Sequence, residues 1–202
     1  MPRKKNQLTR DHLLEACLTA FLRAGTLDLS LDALAKSAKT SKRMLIHYFG
    51  SRESLEEMAM SHLEDRLRAR FRSGAFPAGT PLRSVVTALW DQITAPQSRG
   101  ILLLTMDLTR RGWGNRISPN RISPDKIPPG SARGKRFFEE QQRLWSEMLR
   151  EFLPDPVAVE TLLQLFQGAA LVYLVTGDAA PGRRALDRLI HALSKEPPGT
   201  VK

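Results

Sequence analysis

Residues 30–55 decide the fold, and they read Ser30-Leu-Asp-Ala-Leu-Ala-Lys-Ser-Ala-Lys-Thr-Ser-Lys-Arg-Met-Leu-Ile-His-Tyr-Phe-Gly-Ser-Arg-Glu-Ser-Leu55. Ser30 and Ser41 are good N-cap residues, and each precedes a short run with apolar residues at helical spacing. Only Lys39-Thr40 separates the two runs, and Gly50 ends the second one. The stretch therefore predicts two short helices joined by a tight turn.

Further helices are predicted on both sides of this pair. Thr9 is the expected cap of the first helix, which Gly25 ends. Its apolar positions are Leu13, Leu14, Cys17, Ala20, Phe21 and Ala24. Ser51 is the expected cap of a longer fourth helix. Five more helices are expected near 82–95, 98–111, 135–152, 156–177 and 182–194.

No segment alternates in the manner of a strand, so the predicted fold class is all-α with about nine helices. The stretch 73–81 is rich in Gly and Pro and marks a hinge. We expect a helix-turn-helix domain over 1–50, a connecting helix over 51–72 and a further helical domain over 73–202.

Two short helices behind a supporting helix form the arrangement of a helix-turn-helix unit, whose second helix enters the major groove of DNA. Lys42 and Arg43 suit phosphate or a guanine edge, and Met44 suits a thymine methyl group. Leu45, Ile46 and Phe49 form the predicted apolar side. An ordinary helical hairpin with a solvated basic face is the alternative reading. The predicted DNA-binding residues are Ser30, Thr40, Ser41, Lys42, Arg43, Met44, His47, Tyr48 and Arg52.

Composition favours a polyanionic partner. The chain has 31 Lys and Arg against 21 Asp and Glu, a formal net charge of +10. Such a balance suits nucleic acid or an acidic membrane surface, although a generally basic soluble protein has it too. The single cysteine, Cys17, excludes an intramolecular disulfide and a cysteine-rich zinc site, and its spacing predicts a core position. The four histidines are scattered, and no phosphate loop or nucleophile motif is present, so we expect no enzyme activity, cofactor or metal.

The chain is expected to be cytoplasmic. The basic start, 1–9, has no apolar stretch after it and so does not resemble a secretory signal. The most apolar run, 168–175, is too short to span a bilayer.

The stretch 30–55 resembles the signature of the tetracycline-repressor (TetR) family. The resemblance covers about 9–60 and includes the Ser41-Lys42 opening, the aromatic end His47-Tyr48-Phe49 and the Ser51-Arg52-Glu53 start of the next helix. Two positions depart from the pattern: Lys39 stands where glycine is usual in the turn, and Ile46 where tyrosine is frequent.

The resemblance implies a sequence-specific transcriptional regulator, a repressor released by a small-molecule effector. It implies a homodimer, formed through the helices at 156–177 and 182–194, on a pseudo-palindromic operator. It also implies an effector pocket in the second domain, whose expected lining residues are Trp90, Met106, Asp107, Phe138, Gln141, Trp145, Met148, Gln167 and Tyr173. The same aromatic and methionine residues also fit plain core packing.

Two further functions remain open at this stage. One is a protein that coats nucleic acid without sequence preference, and the other is a small-molecule carrier or divergent enzyme whose helix-turn-helix no longer binds DNA. The long polar stretch 112–134 is expected to be a mobile loop or a lid.

Overall fold

The computed structural model of the chain describes residues 2–72, 74–113 and 131–194. Within those residues it has nine α-helices, one short 3-10 turn at Pro96–Ser98 and no strand. The predicted all-α class is therefore confirmed. In chain order the helices are α1 Pro2–Ala24, α2 Leu31–Ser37, α3 Lys42–Phe49, α4 Arg52–Arg70, α5 Leu82–Thr94, α6 Arg99–Trp113, α7 Ser131–Leu149, α8 Pro156–Thr176 and α9 Ala180–Leu193.

The described residues divide into two compact units. The first combines 1–69 with 103–138, and the second combines 70–102 with 139–202. One dividing point, between 69 and 70, lies at the end of α4 and a few residues before the predicted hinge at 73–81, whereas the other two fall inside α6 and α7. A compact unit is not the same thing as a functional domain, so the predicted domains 1–50, 51–72 and 73–202 stay a prediction.

Four helix ends differ most from the sequence-based expectation. The first helix begins at Pro2 and so passes through Thr9, the predicted cap. A start at Pro2 is possible because proline is tolerated in a first helical turn. For the same reason Pro181 lies inside the first turn of α9 and does not precede it. The helices α6 and α7 extend into both ends of the predicted loop 112–134, and the rest of that loop lies outside the described residues.

The first unit has its core between α1, α2, α3 and α4. Helix α2 packs on both α1 and α3. The side chains at its centre are Cys17, Leu18, Phe21, Leu34, Leu45 and Leu55, all of them fully buried. Cys17 is therefore a core residue as predicted, and burial raises the pKa of its thiol to about 11.

The second unit is built around α8, which packs on α9 and α5. Its buried residues are Ala158, Val159, Leu162, Leu163, Phe166, Ala169 and Ala170. Taken whole, α8 has 21 residues and is long and apolar enough to cross a membrane, which an inspection of 168–175 alone did not show. Those buried side chains account for one side of this apolar helix as core.

Candidate nucleic-acid interface

Serine caps fix the start of each short helix in the pair. The Ser30 hydroxyl accepts a hydrogen bond from the Ala33 N–H at 3.1 Å, and the Ser41 hydroxyl accepts one from the Met44 N–H at 3.2 Å. A third serine, Ser51, accepts from the Ser54 N–H at 3.1 Å. All three caps were predicted from residue type alone, because a serine oxygen can satisfy an N–H group that a helix start leaves without an acceptor.

The turn between α2 and α3 keeps the geometry of a glycine turn although it contains Lys39. The backbone of Lys39 is left-handed, with φ of 51°, and it is the only non-glycine residue with positive φ in the described chain. The Thr40 N–H donates to the Ala35 carbonyl at 2.9 Å, which closes the turn. The departure at Lys39 therefore leaves the turn intact, at a cost in backbone strain.

The inner side of α3 is narrower than the sequence suggested. Leu45 and Phe49 are buried, at 0% and 4% exposure, and they anchor the helix on the core. Ile46 was predicted to lie with them, but it is 39% exposed. Ile46 follows Leu45 by one residue, so its side chain is rotated by 100° about the helix axis. At that angle the side chain points away from the core and into water.

The outer side of α3 presents cations and an apolar side chain together. Lys42, Arg43, Met44 and His47 are all exposed, and Met44 is the apolar member at 38% exposure. The Lys42 ammonium lies 3.6 Å from the carboxylate of Asp32, and both side chains are largely in water. An exposed pair of this kind is weak, so Lys42 is available to exchange that carboxylate for a phosphate.

Of the remaining predicted residues, Ser30 and Ser41 are exposed, whereas Thr40, Tyr48 and Arg52 are partly buried. Tyr48 is half-buried, and its ring meets the His47 ring edge-on with centroids 5.1 Å apart. Arg52 makes protein contacts: its Nε donates to Glu56 at 2.8 Å and its Nη2 donates to the Leu27 carbonyl at 3.0 Å. The structure thus gives Arg52 a role in holding α4, and its predicted phosphate contact stays a prediction.

The predicted effector residues are split between the units. Trp90, Gln141, Trp145, Met148, Gln167 and Tyr173 lie in the second unit, whereas Met106, Asp107 and Phe138 lie in the first. In the second unit the aromatic members pack together. The Trp145 ring lies 5.6 Å from that of Phe166, and the Trp90 ring lies 6.5 Å from that of Tyr173.

Most polar groups of this aromatic cluster have protein partners. The Trp90 indole N–H donates to the Ala179 carbonyl at 3.2 Å, and the Tyr173 hydroxyl donates to the Thr94 carbonyl at 2.8 Å. Among the described residues, the side-chain amide nitrogen of Gln141 is the one buried polar atom without a hydrogen-bond partner. An unsatisfied buried donor is costly, so Gln141 is the member of the set that most needs an added acceptor.

Asp107 has a different environment from the one expected of a pocket residue. Its carboxylate accepts hydrogen bonds from Thr26, Arg110 and Arg111. Burial by itself raises the pKa of Asp107, but these hydrogen bonds outweigh it and hold the pKa below its ordinary value. The residue is thus a fixed anion with protein partners. Its pairs with Arg110 and Arg111 follow the i,i+3 and i,i+4 spacing of a helix, whereas no local pattern of the sequence indicates its contact with Thr26.

The described part of the chain contains no group of three or more His, Cys, Asp or Glu placed to hold a metal ion.

A capped recognition helix of this kind, anchored by Leu45 and Phe49 and cationic outside, defines a helix-turn-helix DNA-binding domain. Comparison with known proteins places the domain more closely. Residues 13–57 match the family of bacterial regulatory proteins described as tetR. The chain is 35% identical over 96 residues to the transcriptional regulator BetI of Burkholderia thailandensis, a match that covers 45% of this chain and 49% of BetI.

A second relative is the transcriptional repressor NicS of Pseudomonas putida, 29% identical over 86 residues, which are 41% of each chain. The chain thus spans about half the length of the curated relatives it matches, or less. Among solved structures, a tetR-family transcriptional regulator from Streptomyces coelicolor superposes with a TM-score of 0.66 at 20% identity, over 93% of this chain and 79% of that one.

The N-terminal domain is therefore a tetR-family DNA-binding domain, and the chain as a whole has the fold of a tetR-family regulator. The resemblance seen in 30–55 is confirmed. These relatives are named as regulators of transcription, which agrees with the expectation that the chain is not an enzyme.

Proposed function

We propose that the chain is a cytoplasmic, sequence-specific DNA-binding regulator, a repressor that binds a pseudo-palindromic operator as a homodimer and is released by a small ligand. The observation that carries the proposal is the outer side of α3, where Arg43, Met44 and His47 point to solvent while Leu45 and Phe49 fix the helix from behind.

The chemistry of this outer side matches the edges of DNA bases. A guanidinium binds the two acceptors of guanine in the major groove, and an apolar side chain contacts the methyl group of thymine. Arg43 and Met44 are neighbours on α3, so together they suit a step that holds both a guanine and a thymine. His47 lies one turn further along the same side of the helix.

Phosphate contacts would hold the domain in register on the duplex. Lys42 supplies a mobile cation, and the first backbone N–H groups of α3 carry the positive end of the helix dipole. Ser41 satisfies the Met44 N–H and so keeps this helix end ordered. Ser30 and Thr40, which precede this helix end in the chain, and Tyr48, near the other end of α3, complete the proposed phosphate contacts.

The outward side of α8 supports a second copy of the chain as partner. Six of its ten exposed positions follow heptad-like steps of four and three: Val157, Thr161, Gln164, Gly168, Leu171 and Val175. We name these six residues the α8 stripe. Leu171 is 51% exposed and Val175 is 80% exposed, which is unusual for apolar side chains of this size. A repeat of this spacing is what two packed helices require.

Gly168 lies in the middle of the α8 stripe, and a Cβ at this position would meet no atom within 4 Å. A small residue at that point lets a partner helix approach closely. The neighbouring small residues Ala169 and Ala170 do not contribute in this way, because both are buried within the chain and belong to its own core. The proposed dimer contact therefore uses Gly168 together with the outward residues of α8 and α9.

For the effector we retain the six predicted residues of the second unit. Gln141 supports this choice, because its buried amide nitrogen lacks an acceptor and a ligand oxygen would supply one. The aromatic side chains of Trp145 and Tyr173 would provide apolar contact. A small molecule with an apolar body and a hydrogen-bond acceptor is the ligand class that fits.

The test is selection of bound sequences from random duplex DNA by the purified chain, followed by affinity measurements against salt. We expect an inverted repeat to be enriched, with affinity falling at a slope of about −0.9 per phosphate contact. Arg43→Ala should weaken operator binding by about 1–3 kcal/mol, the value of a good base contact. Arg150→Ala, on an exposed turn of the second unit, is the matched control and should bind normally.

Two results would contradict the proposal. Binding that follows ionic strength with no enriched sequence would point to a protein that coats nucleic acid. Absence of DNA binding altogether would favour a small-molecule carrier.

A further inference from the structure

Within the first unit, side chains of helix α6 bind the turn between α1 and α2. We name these contacts, made by Asp107 and Arg111 with Thr26, Leu27 and Asp28, the clasp. The Asp107 carboxylate accepts from the Thr26 hydroxyl at 2.9 Å and from the Leu27 N–H at 3.3 Å. One turn earlier, Leu103 lies against Gly25 so closely that a Cβ on Gly25 would stand 2.6 Å from the Leu103 Cβ. The end of α1 is therefore held on α6 by both packing and hydrogen bonds.

Two ion pairs of Arg111 strengthen the clasp. Arg111 donates to Asp107 at 2.9 Å and lies 2.8 Å from the carboxylate of Asp28, which follows in the same turn. The side chains of Asp107 and Arg111 are 10% and 21% exposed, so water screens this pair less than a surface pair. Charge-assisted hydrogen bonds in such a setting are among the stronger polar contacts.

The backbone of Leu27 links Asp107 to the end of the recognition helix. The Leu27 N–H donates to Asp107, and the Leu27 carbonyl accepts from Arg52 Nη2 at 3.0 Å. Arg52 is the first residue of α4 and stands two residues after Gly50, the C-cap of α3. The Leu27 side chain is itself buried in the core. A shift of the Leu27 backbone would therefore move the α3–α4 junction with it.

We propose that Asp107 is a positioning residue for base recognition, which holds α3 in register through the Leu27 backbone and Arg52. The proposal rests on the function proposed above and adds a residue outside the DNA-contacting surface. Its loss would leave the phosphate-binding cations in place and alter the angle at which α3 presents Arg43 and Met44. Specific affinity should then fall while affinity for random DNA stays.

The experiment compares the Asp107→Asn variant with the wild-type chain and measures the affinity of each for the selected operator and for random duplex DNA. We expect operator affinity to fall about tenfold, the effect of losing hydrogen bonds to a charged group, and random-duplex affinity to stay within about twofold. Asp65→Asn is the matched control, because Asp65 makes an exposed pair with Arg68 on α4 and should change neither value. A purely structural role of Asp107 would lower both affinities in proportion and would overturn the proposal.

Amide hydrogen exchange separates this proposal from the proposed function. The Leu27 amide and the amides of 52–56 should exchange faster in Asp107→Asn, and those of α8 should not change. Unaltered protection at Leu27 and 52–56 would overturn the inference whatever the DNA result. If the wild-type chain selects no operator, the proposed function fails, and the exchange result still decides the clasp. Thr26→Val removes one donor of the clasp and serves the same tests if Asp107→Asn does not fold.

Discussion

At residue 39 a lysine occupies a backbone conformation that favours glycine. Its φ of 51° crowds the Cβ against the following carbonyl, a cost of about 1–2 kcal/mol for a residue with a side chain. The turn persists because Ser41 caps the next helix and the Thr40 N–H reaches the Ala35 carbonyl. The strain at Lys39 is therefore balanced by the contacts on both sides of it.

Lys39→Gly should stabilise the chain. Relief of the strain outweighs the greater freedom that glycine gives the unfolded state, which costs about 0.4–1 kcal/mol, so the free energy of unfolding should rise by up to about 1 kcal/mol. Lys36→Gly is the matched control, because Lys36 lies in the last turn of α2 and glycine there should cost about 1 kcal/mol. Urea unfolding measures both. Equal destabilisation by the two variants would mean that residue 39 is not left-handed in solution.

At the scale of the element, α3 divides sharply between a buried and an exposed side within two turns. Leu45 is 0% exposed and the adjacent Ile46 is 39% exposed, although their side chains have the same volume. The helix thus depends on Leu45 and Phe49 for its attachment, and it leaves its remaining faces free for another molecule.

Leu45→Ala and Ile46→Ala test this division as a pair. Removing the buried side chain leaves a cavity and should cost about 2–5 kcal/mol of unfolding free energy. Removing the exposed side chain should change stability by no more than about 0.5 kcal/mol. Thermal unfolding with circular dichroism distinguishes the two. A loss at Ile46 as large as that at Leu45 would restore the broader apolar side first expected from the sequence.

The contrast between α3 and Asp107 shows which features could be predicted from the sequence. The caps at Ser30 and Ser41 act within three residues, so residue type and spacing were enough to predict them. Ile46 was misplaced because a helix of eight residues has too few turns to define a face by periodicity. The effector contact of Asp107 stays a prediction, but its hydrogen bond with Thr26 could not be predicted, because Thr26 is 81 positions away and no local pattern indicates such a contact.

At the scale of the whole molecule, the question that α8 raises is what covers the exposed apolar side chains on its outer side. A helix of its length and composition meets the requirements for a membrane span as well as those for a core helix. Two observations favour a partner helix: the buried residues on one side belong to the chain's own core, and the α8 stripe keeps one spacing from Val157 to Val175. A lipid-facing surface has no need of an open glycine at its centre.

Leu171→Glu combined with Val175→Glu should convert the proposed dimer to a monomer, because such a dimer would then bury carboxylates without partners. Ser84→Glu combined with Ala88→Glu is the matched control, since both residues are exposed on α5 with the same spacing. By light scattering, the wild type and the control should have twice the 22.7 kDa of one chain, and the α8 variant should have 22.7 kDa. The monomer should also lose affinity for an inverted repeat, since its two half-sites would bind independently. A variant that remains dimeric would remove the α8 stripe from the interface, and partition of the wild type into lipid vesicles would assign the stripe to a membrane.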